Sequence, residues 1–165
     1  MNVNGKPYRT IWTTEDRRAF EIIDQTLLPH RFDIIRIDSF KEALYAISSM
    51  QVRGAPLIGA TAAYAIWLST RENPNLDRLR VASNELIESR PTAINLRWAV
   101  DEILGKLTSI PEAERPDQAL ALAEEICESD VESCRCIGLA GLKIIKALPA
   151  FKNNKRPINL LTHCN

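Results

Sequence analysis

The chain has 165 residues, enough for one domain with a substantial hydrophobic core or for one domain and the beginning of another. Its 21 lysine and arginine residues balance its 21 aspartate and glutamate residues, and no long basic block is present, so nucleic acid and anionic membranes are poor candidates as partners. The N-terminal residues lack an apolar secretory segment and no apolar run reaches membrane-spanning length, which predicts a cytoplasmic protein.

Three short segments rich in Ile, Phe, Tyr and Trp open the chain and predict a small antiparallel sheet. They are Tyr8–Trp12, Ala19–Asp24 and Asp33–Asp38. Charged or proline-containing breaks separate the segments, as in a three-stranded meander. In the third segment Ile35 and Ile37 alternate with Arg36 and Asp38, which indicates one buried face and one solvent-exposed face.

From residue 39 the spacing of apolar residues changes from that of strands to that of helices. Ser39 and Glu42 have the spacing of a capping box, which predicts a helix over residues 40–50. Three later helices are predicted at Leu76–Ile87, at Ala93–Leu107 with Thr92 as its cap, and at 117–148. Gly138 and Gly141 leave open whether the last of these is one helix or two, and they predict a bend or a close helix contact.

The end of the chain predicts a second domain. Residues 158–162 form an apolar stretch typical of a strand, which leads into His163, Cys164 and Asn165. A lone strand after a helical region fits the first strand of an α/β domain. We therefore predict an α+β fold with two parts. Residues 1–151 form a small antiparallel sheet followed by a helical bundle, and residues 152–165 form the first strand of a truncated Rossmann-like domain.

The most informative stretch is Arg53-Gly54-Ala55-Pro56, which precedes twelve almost uniformly apolar residues that predict a buried helix. Pro56 suits the first helical turn, and Gly54 permits a tight turn or the close approach of a ligand. The unpaired N–H groups and the positive dipole end of a helix attract anions, and Arg53 adds a cation with paired donors. The pattern predicts a phosphate or carboxylate site. The alternative is that Arg53 pairs with a carboxylate of this chain.

A second arginine stands ahead of another predicted helix. Arg90 precedes Pro91, which favours extended geometry just before that helix begins. Asn95, near the start of the same helix, could bind a ligand or bond to the backbone around it.

Cysteines and tryptophans carry weaker signals. The cysteines are Cys127, Cys134, Cys136 and Cys164. The first three follow a helical pattern without the Cys-x-x-Cys spacing of zinc or thioredoxin-like sites, so we expect ordinary buried thiols and no metal site. The tryptophans are Trp12, Trp67 and Trp98. They are far apart in sequence, and we expect core positions rather than an aromatic ligand cage.

Four segments occur in the same order in the methylthioribose-1-phosphate isomerase family, which this chain resembles over its whole length. They are Asp24–Pro29, Met50–Gly59, Ser89–Leu96 and Leu160–Asn165. The resemblance covers about the first half of those enzymes. The same superfamily contains ribose-1,5-bisphosphate isomerase and the regulatory subunits of initiation factor 2B, so a fragment of the former or a binding module like the latter are the alternatives.

This resemblance implies that the protein converts 5-methylthioribose 1-phosphate to 5-methylthioribulose 1-phosphate in methionine salvage. It implies a small-molecule sugar phosphate as partner, no metal or organic cofactor, and a homodimer in the full-length enzyme. The implied substrate-binding residues are Arg53, Gly54, Ala55 and Arg90. Cys164 occupies the position of a catalytic cysteine, and His163 could tune its thiol or cap the strand end. The family's catalytic aspartate is not among these residues, which predicts an inactive fragment with exposed apolar area.

Overall fold

The computed structural model describes residues 2–149 and 157–163 of the chain. Two compact units are present, Met1–Cys127 and Glu128–Asn165. The strands are β1 (Asn2–Val3), β2 (Lys6–Pro7), β3 (Ile11–Thr13), β4 (Phe20–Ile23) and β5 (Ile34–Ile37). The helices are α1 (Phe40–Ser48), α2 (Ala55–Glu72), α3 (Leu76–Ser89), α4 (Ile94–Leu107) and α5 (Arg115–Ala147), with a 3₁₀ turn at Glu112–Glu114. The predicted α+β class is confirmed, whereas the boundary at residue 151 stays a prediction.

The predicted three-stranded meander is confirmed, with strands β3, β4 and β5 antiparallel and adjacent in sequence order. Ile22 lies opposite Ile11 and Ile35, and together these side chains cover the core face of the sheet. The small β1–β2 hairpin was not predicted. Its turn is Asn4-Gly5, with φ of 51° and 81°, and an Asn-Gly pair is a strong hairpin signal that was available in the sequence.

Helix α2 is the centre of the first unit. Every residue from 57 to 70 is buried, because α1, α3 and α4 all pack against this helix. Tyr64 of α2 stacks on Phe20 of β4 at 5.0 Å between ring centroids and joins the helix to the sheet. The predicted buried helix after Pro56 is therefore confirmed, and it continues one turn further than the apolar run.

Two predicted helix starts have different outcomes. At α1 the Ser39 hydroxyl accepts the Glu42 N–H and the Glu42 carboxylate accepts the Ser39 N–H, so the capping box is confirmed. At α4 the prediction of Thr92 as cap is wrong. The Ala93 N–H bonds to the Arg90 carbonyl at 2.9 Å, and this turn places Ala93 at the helix boundary.

Helix α5 is continuous, and it begins two residues earlier than predicted. Among the described residues, a methyl group added at Gly138 or Gly141 would meet nothing within 4 Å, so no close contact of the predicted kind is present in that part of the chain. Cys134 and Cys136 are exposed and Cys127 is half-buried, which corrects the prediction of buried thiols. The periodicity identified the helix, but all side chains from 128 to 140 are exposed.

Two further predictions are corrected. Trp67 is buried as expected, but Trp98 is 53% exposed because it lies on the face of α4 opposite the buried Val100 and Ile103. Residues 157–163 have no regular secondary structure, so the predicted strand over 158–162 is wrong. A strand requires a neighbour for its N–H and C=O groups, and none pairs with this segment among the described residues.

Candidate anion-binding site

The start of α2 has an open N-terminus. Gly54 is the N-cap with φ 95° and ψ 132°, and no side chain caps the helix among the described residues. A Cβ at Gly54 would meet no described atom within 4 Å, so glycine is favoured here by backbone conformation rather than by crowding. The Ile58 N–H begins the helical ladder by donating to the Gly54 carbonyl at 3.0 Å. Of the earlier residues of the first turn, Pro56 has no N–H, and the N–H groups of Ala55 and Leu57 have no intrahelical acceptor. Such open N–H groups at a helix start attract anions.

Arg53 adjoins this open turn. Its side chain is exposed. Within residues 2–149 and 157–163, no hydrogen bond or ion pair joins its guanidinium to another side chain. The alternative in which Arg53 pairs with a carboxylate therefore has no partner in the described part of the chain. Its charge adds to the dipole at the helix end and favours an anionic ligand.

The start of α4 is a second open N-terminus. Its N-cap, Ala93, has no side chain that could accept a backbone N–H. Arg90 lies three residues earlier, is half-buried, and has an Nη1 atom that is buried without a hydrogen-bond partner in the described structure. A buried donor without an acceptor costs free energy, so an acceptor from a ligand would be favoured at this nitrogen.

One tight contact fixes these two helix starts close together. A Cβ at Gly59 of α2 would lie 2.9 Å from the backbone oxygen of Asn95, the second residue of α4. Gly59 is four residues past Ala55, about 6 Å along the helix at the usual rise per residue. The open ends of α2 and α4 thus share one end of the packed helix pair. Asn95 contributes its backbone to this contact.

A second polar cluster of the same unit has a structural role. The Tyr64 and Thr13 hydroxyls are 2.9 Å apart, and the Thr13 hydroxyl donates to the Glu124 carboxylate at 3.0 Å. Burial raises the pKa of Tyr64 above its usual value, so the phenol remains protonated at neutral pH. The cluster therefore links β3, α2 and the first part of α5.

A surface groove lies on the outer face of the sheet and was not predicted. Its volume is about 340 Å³, and its lining residues are Lys6, Pro7, Tyr8, Arg9, Trp12, Glu21 and Ile34. Trp12 and Glu21 are paired across strands β3 and β4, and the Trp12 indole donates to the Glu21 carboxylate at 2.7 Å. None of the predicted substrate-binding residues lines it.

The described residues provide no candidate metal site, and they do not include the predicted catalytic thiol. No cluster of three or more His, Cys, Asp or Glu residues suited to a metal occurs in the part of the chain that the structure describes. Cys164, the predicted catalytic residue, lies outside the described residues, so its placement facing Arg53 and Arg90 stays a prediction. No helix in the described ranges has the length and apolar character needed to cross a bilayer.

Comparison with known sequences identifies the family of this chain. The sequence pattern of the Initiation factor 2 subunit family matches residues 51–165. The chain belongs to this family. It is 50% identical over 165 residues to methylthioribose-1-phosphate isomerase of Methylocella silvestris, and this match covers all of the chain and 45% of the relative. It is 46% identical over 169 residues to an uncharacterized protein in the petC 3' region of Rhodospirillum rubrum, and this match covers 92% of that protein. The chain spans just under half the length of the curated isomerases that it matches.

Solved structures of this family share the fold. The crystal structure of 5-methylthioribose 1-phosphate isomerase from Pyrococcus horikoshii matches 77% of this chain and 38% of its own length, with a TM-score of 0.69 and 32% identity. Translation initiation factor eIF-2B, subunit delta, from A. fulgidus matches 76% of this chain and 38% of its own length, with a TM-score of 0.69 and 33% identity. The fold therefore does not distinguish the isomerase from the initiation factor subunit.

Proposed function

We propose that this chain is the N-terminal, substrate-binding part of a methylthioribose-1-phosphate isomerase. The supporting observation is the pair of neighbouring helix starts, each without a side-chain cap and each preceded by an arginine. Relatives that are 45–50% identical over the whole chain are named for this activity. The proposed substrate-binding residues are Arg53, Gly54, Ala55 and Arg90.

The substrate's phosphate suits this arrangement. A phosphate offers several strong acceptors, and the available donors are two guanidinium groups and the first N–H groups of two helices. Arg53 supplies an exposed charge, whereas the unpartnered Nη1 of Arg90 supplies a buried donor. Together they would strengthen binding of the sugar phosphate and hold it in one orientation, because guanidinium groups bind phosphate with defined geometry.

The reaction that we propose is redox-neutral. The phosphate on the anomeric carbon prevents the usual opening of the ring, so the ring C–O bond breaks with protein assistance. Hydrogen then moves from C2 to C1. The C2 alcohol becomes the ketone while C1 is reduced, and the ring oxygen leaves as a hydroxyl group. Cys164 would act as an acid or base, or would stabilise charge near C1 and C2. No metal or organic cofactor enters this proposal.

We expect the 165-residue polypeptide to be inactive on its own. A site assembled from two domains loses most of its activity when one is missing, so the 165-residue polypeptide alone should not turn over substrate. We further propose a cytoplasmic location and a homodimer for the full-length enzyme.

The regulatory subunit of an initiation factor is the second candidate, supported by the fold of the A. fulgidus protein. The higher identity over the whole chain favours the isomerase.

Ligand binding tests the proposed function. Calorimetric titration should show that the purified chain binds methylthioribose 1-phosphate more tightly than methylthioribose without phosphate. Equal affinities, or binding of neither sugar, would count against the isomerase and favour the second candidate.

A turnover assay tests the prediction of inactivity. The purified chain is incubated with methylthioribose 1-phosphate beside the Cys164→Ala variant, and the ketose product is measured. Both samples should give only the background rate. Ketose formation well above that of the variant would show that 165 residues suffice for catalysis.

A further inference from the structure

The segment Asp24–Pro29, shared with the isomerase family, has a structural role that its sequence did not reveal. Asp24 is only 5% exposed. One carboxylate oxygen accepts the Thr26 N–H at 2.9 Å and the Thr26 hydroxyl at 2.6 Å. These bonds close a tight turn directly after β4. The other oxygen accepts a hydrogen bond from outside the turn, from the Gln51 side-chain amide at 3.3 Å.

Gln51 is held to this turn by its backbone as well. The Gln25 N–H donates to the Gln51 carbonyl at 2.9 Å. Gln51 therefore makes one backbone and one side-chain bond to two successive residues of the turn. It lies two residues before Arg53, so the turn after β4 restrains the approach to the open end of α2.

The restrained segment has an unusual backbone. Met50 has φ 63° and Gly54 has φ 95°, so two residues within five lie in the left-handed region. Met50 is not glycine, and such a conformation persists only where surrounding contacts hold it. The Met50 N–H donates to the Ile47 carbonyl at 3.3 Å at the end of α1. The residues after it are held by the two bonds to Gln51 and by the bond from the Val52 N–H to the Ala46 carbonyl at 3.3 Å.

We propose that Asp24 is a positioning residue for the anion site. Its carboxylate binds Gln51 and thereby fixes the turn that presents Arg53 and the N–H groups of Gly54 and Ala55. This inference rests on the proposed function of that site. A turn already held in its binding conformation loses less conformational entropy when the anion binds, so its affinity is higher.

A pair of reciprocal substitutions tests the role of this contact. Gln51→Glu places a second carboxylate against Asp24 and removes the donor. Adding Asp24→Asn restores one hydrogen bond with donor and acceptor exchanged, because the new amide at position 24 donates to the new carboxylate at position 51. A buried hydrogen bond is worth about two- to tenfold in an equilibrium. At pH 7.5, Gln51→Glu should weaken inorganic phosphate binding about fivefold, and the double variant should bind within about twofold of the parent.

Amide hydrogen exchange gives a readout that does not depend on a ligand. Gln51→Glu should accelerate exchange of the hydrogen-bonded Gln25 and Val52 N–H groups about fivefold in the free chain, and the double variant should restore it. A matched control is Asp16→Ala. Asp16 closes the turn before β4 in the same way, by accepting from the Thr14 hydroxyl at 2.6 Å and the Arg18 N–H at 3.0 Å. This control should lower stability but leave phosphate affinity and the exchange at Gln25 and Val52 unchanged.

The outcomes separate this inference from the proposed function. Unchanged exchange in Gln51→Glu, no restoration in the double variant, or an equal effect of Asp16→Ala would overturn the positioning role. If Arg53→Gln fails to weaken phosphate binding, the anion site itself is wrong, and exchange still decides whether Asp24 holds the turn. If Arg53→Gln weakens binding but Gln51→Glu does not, only the positioning role fails.

Discussion

Four helix starts of the first unit fall into two kinds. Ser39 and Asn75 cap α1 and α3, each accepting a backbone N–H of the first turn. Helices α2 and α4 have no such cap in the described structure. An N–H group that bonds to its own chain is unavailable to a ligand, whereas an open one attracts anions. The chain thus has caps where a helix only needs a stable end, and arginines where the end is open.

Stability at the open ends must come from packing rather than capping. Helix α2 is buried from residue 57 to 70, and the contact between Gly59 and Asn95 brings α2 and α4 close together. This difference from the capped helices leads to four predictions, each on a different kind of interaction.

The largest expected effect comes from filling the space at Gly59. Gly59→Ala places a methyl group 2.9 Å from the Asn95 carbonyl oxygen, a backbone atom that cannot turn aside. We expect a net loss of about 1–2 kcal/mol in the free energy of unfolding, since overpacking outweighs the gain in helix propensity. Urea unfolding followed by tryptophan fluorescence measures it, because all three tryptophans lie within residues 1–127.

Gly105→Ala is the matched control for Gly59→Ala. Gly105 lies inside α4, and a Cβ there meets nothing within 4 Å in the part of the chain that the structure describes. The substitution should stabilise the chain by about 0.5–1 kcal/mol through helix propensity alone. Equal effects at the two glycines would contradict the close packing of α2 and α4.

Removing a cap should have the next largest effect. Ser39→Ala removes the acceptor of the Glu42 N–H and should lower the free energy of unfolding by about 1 kcal/mol. Phosphate affinity should stay the same, because this helix start is closed to ligands. A parallel loss of phosphate binding in Ser39→Ala would show that caps and anion sites are not separate features.

Adding a cap should have a smaller and opposite effect on stability. Ala93→Ser gives α4 the side-chain acceptor that it lacks, with an expected gain of about 0.5 kcal/mol. The same hydroxyl competes for N–H groups that we assign to the anion, so phosphate should bind more weakly. Urea unfolding and calorimetric titration of one preparation measure both changes. A gain in stability without a loss of affinity would mean that the α4 start does not bind the anion.

The smallest expected effect concerns a turn that is closed by a carboxylate. The Thr14 hydroxyl, the Arg18 N–H and the Arg36 side chain bond to Asp16 and lower its pKa from 3.8 to about 2. A lowered pKa in the folded state means that the stabilisation is present above pH 4 and is lost as the pH falls toward 2. The urea midpoint of Asp16→Asn should therefore fall less between pH 5 and pH 2.5 than that of the parent. Identical acid sensitivity would contradict the role of this carboxylate.

Local features of the fold could be predicted from the sequence, but contacts between distant residues could not. The Ser39 capping box and the buried helix after Pro56 depend on residues a few positions apart, and both were predicted. The position of the α4 cap depends on the turn from Arg90 to Ala93, which the preference of Thr92 for capping did not reveal. The contact of Gly59 with Asn95 joins two helices, and no periodicity within either helix indicates it.

In the candidate site, too, local features could be predicted from the sequence and contacts between distant residues could not. Arg53 and Arg90 could be chosen because each precedes a helix start, and because the segments around them resemble motifs of the isomerase family. That the two starts lie together depends on tertiary packing. The exposure of Cys134 and Cys136 was missed for a related reason, because a helical period identifies an apolar face but not what covers it.

The most direct test of the account is a titration of inorganic phosphate into the isotopically labelled chain, followed through the backbone amide signals of Gly54 and Ala55. Arg53→Gln and Arg90→Gln should each weaken binding about tenfold, the value of a charge-assisted hydrogen bond. Arg78→Gln, which removes an exposed arginine from α3, should leave the affinity unchanged. Equal affinities in all four proteins, or an equal loss in Arg78→Gln, would contradict an anion site at the two open helix starts.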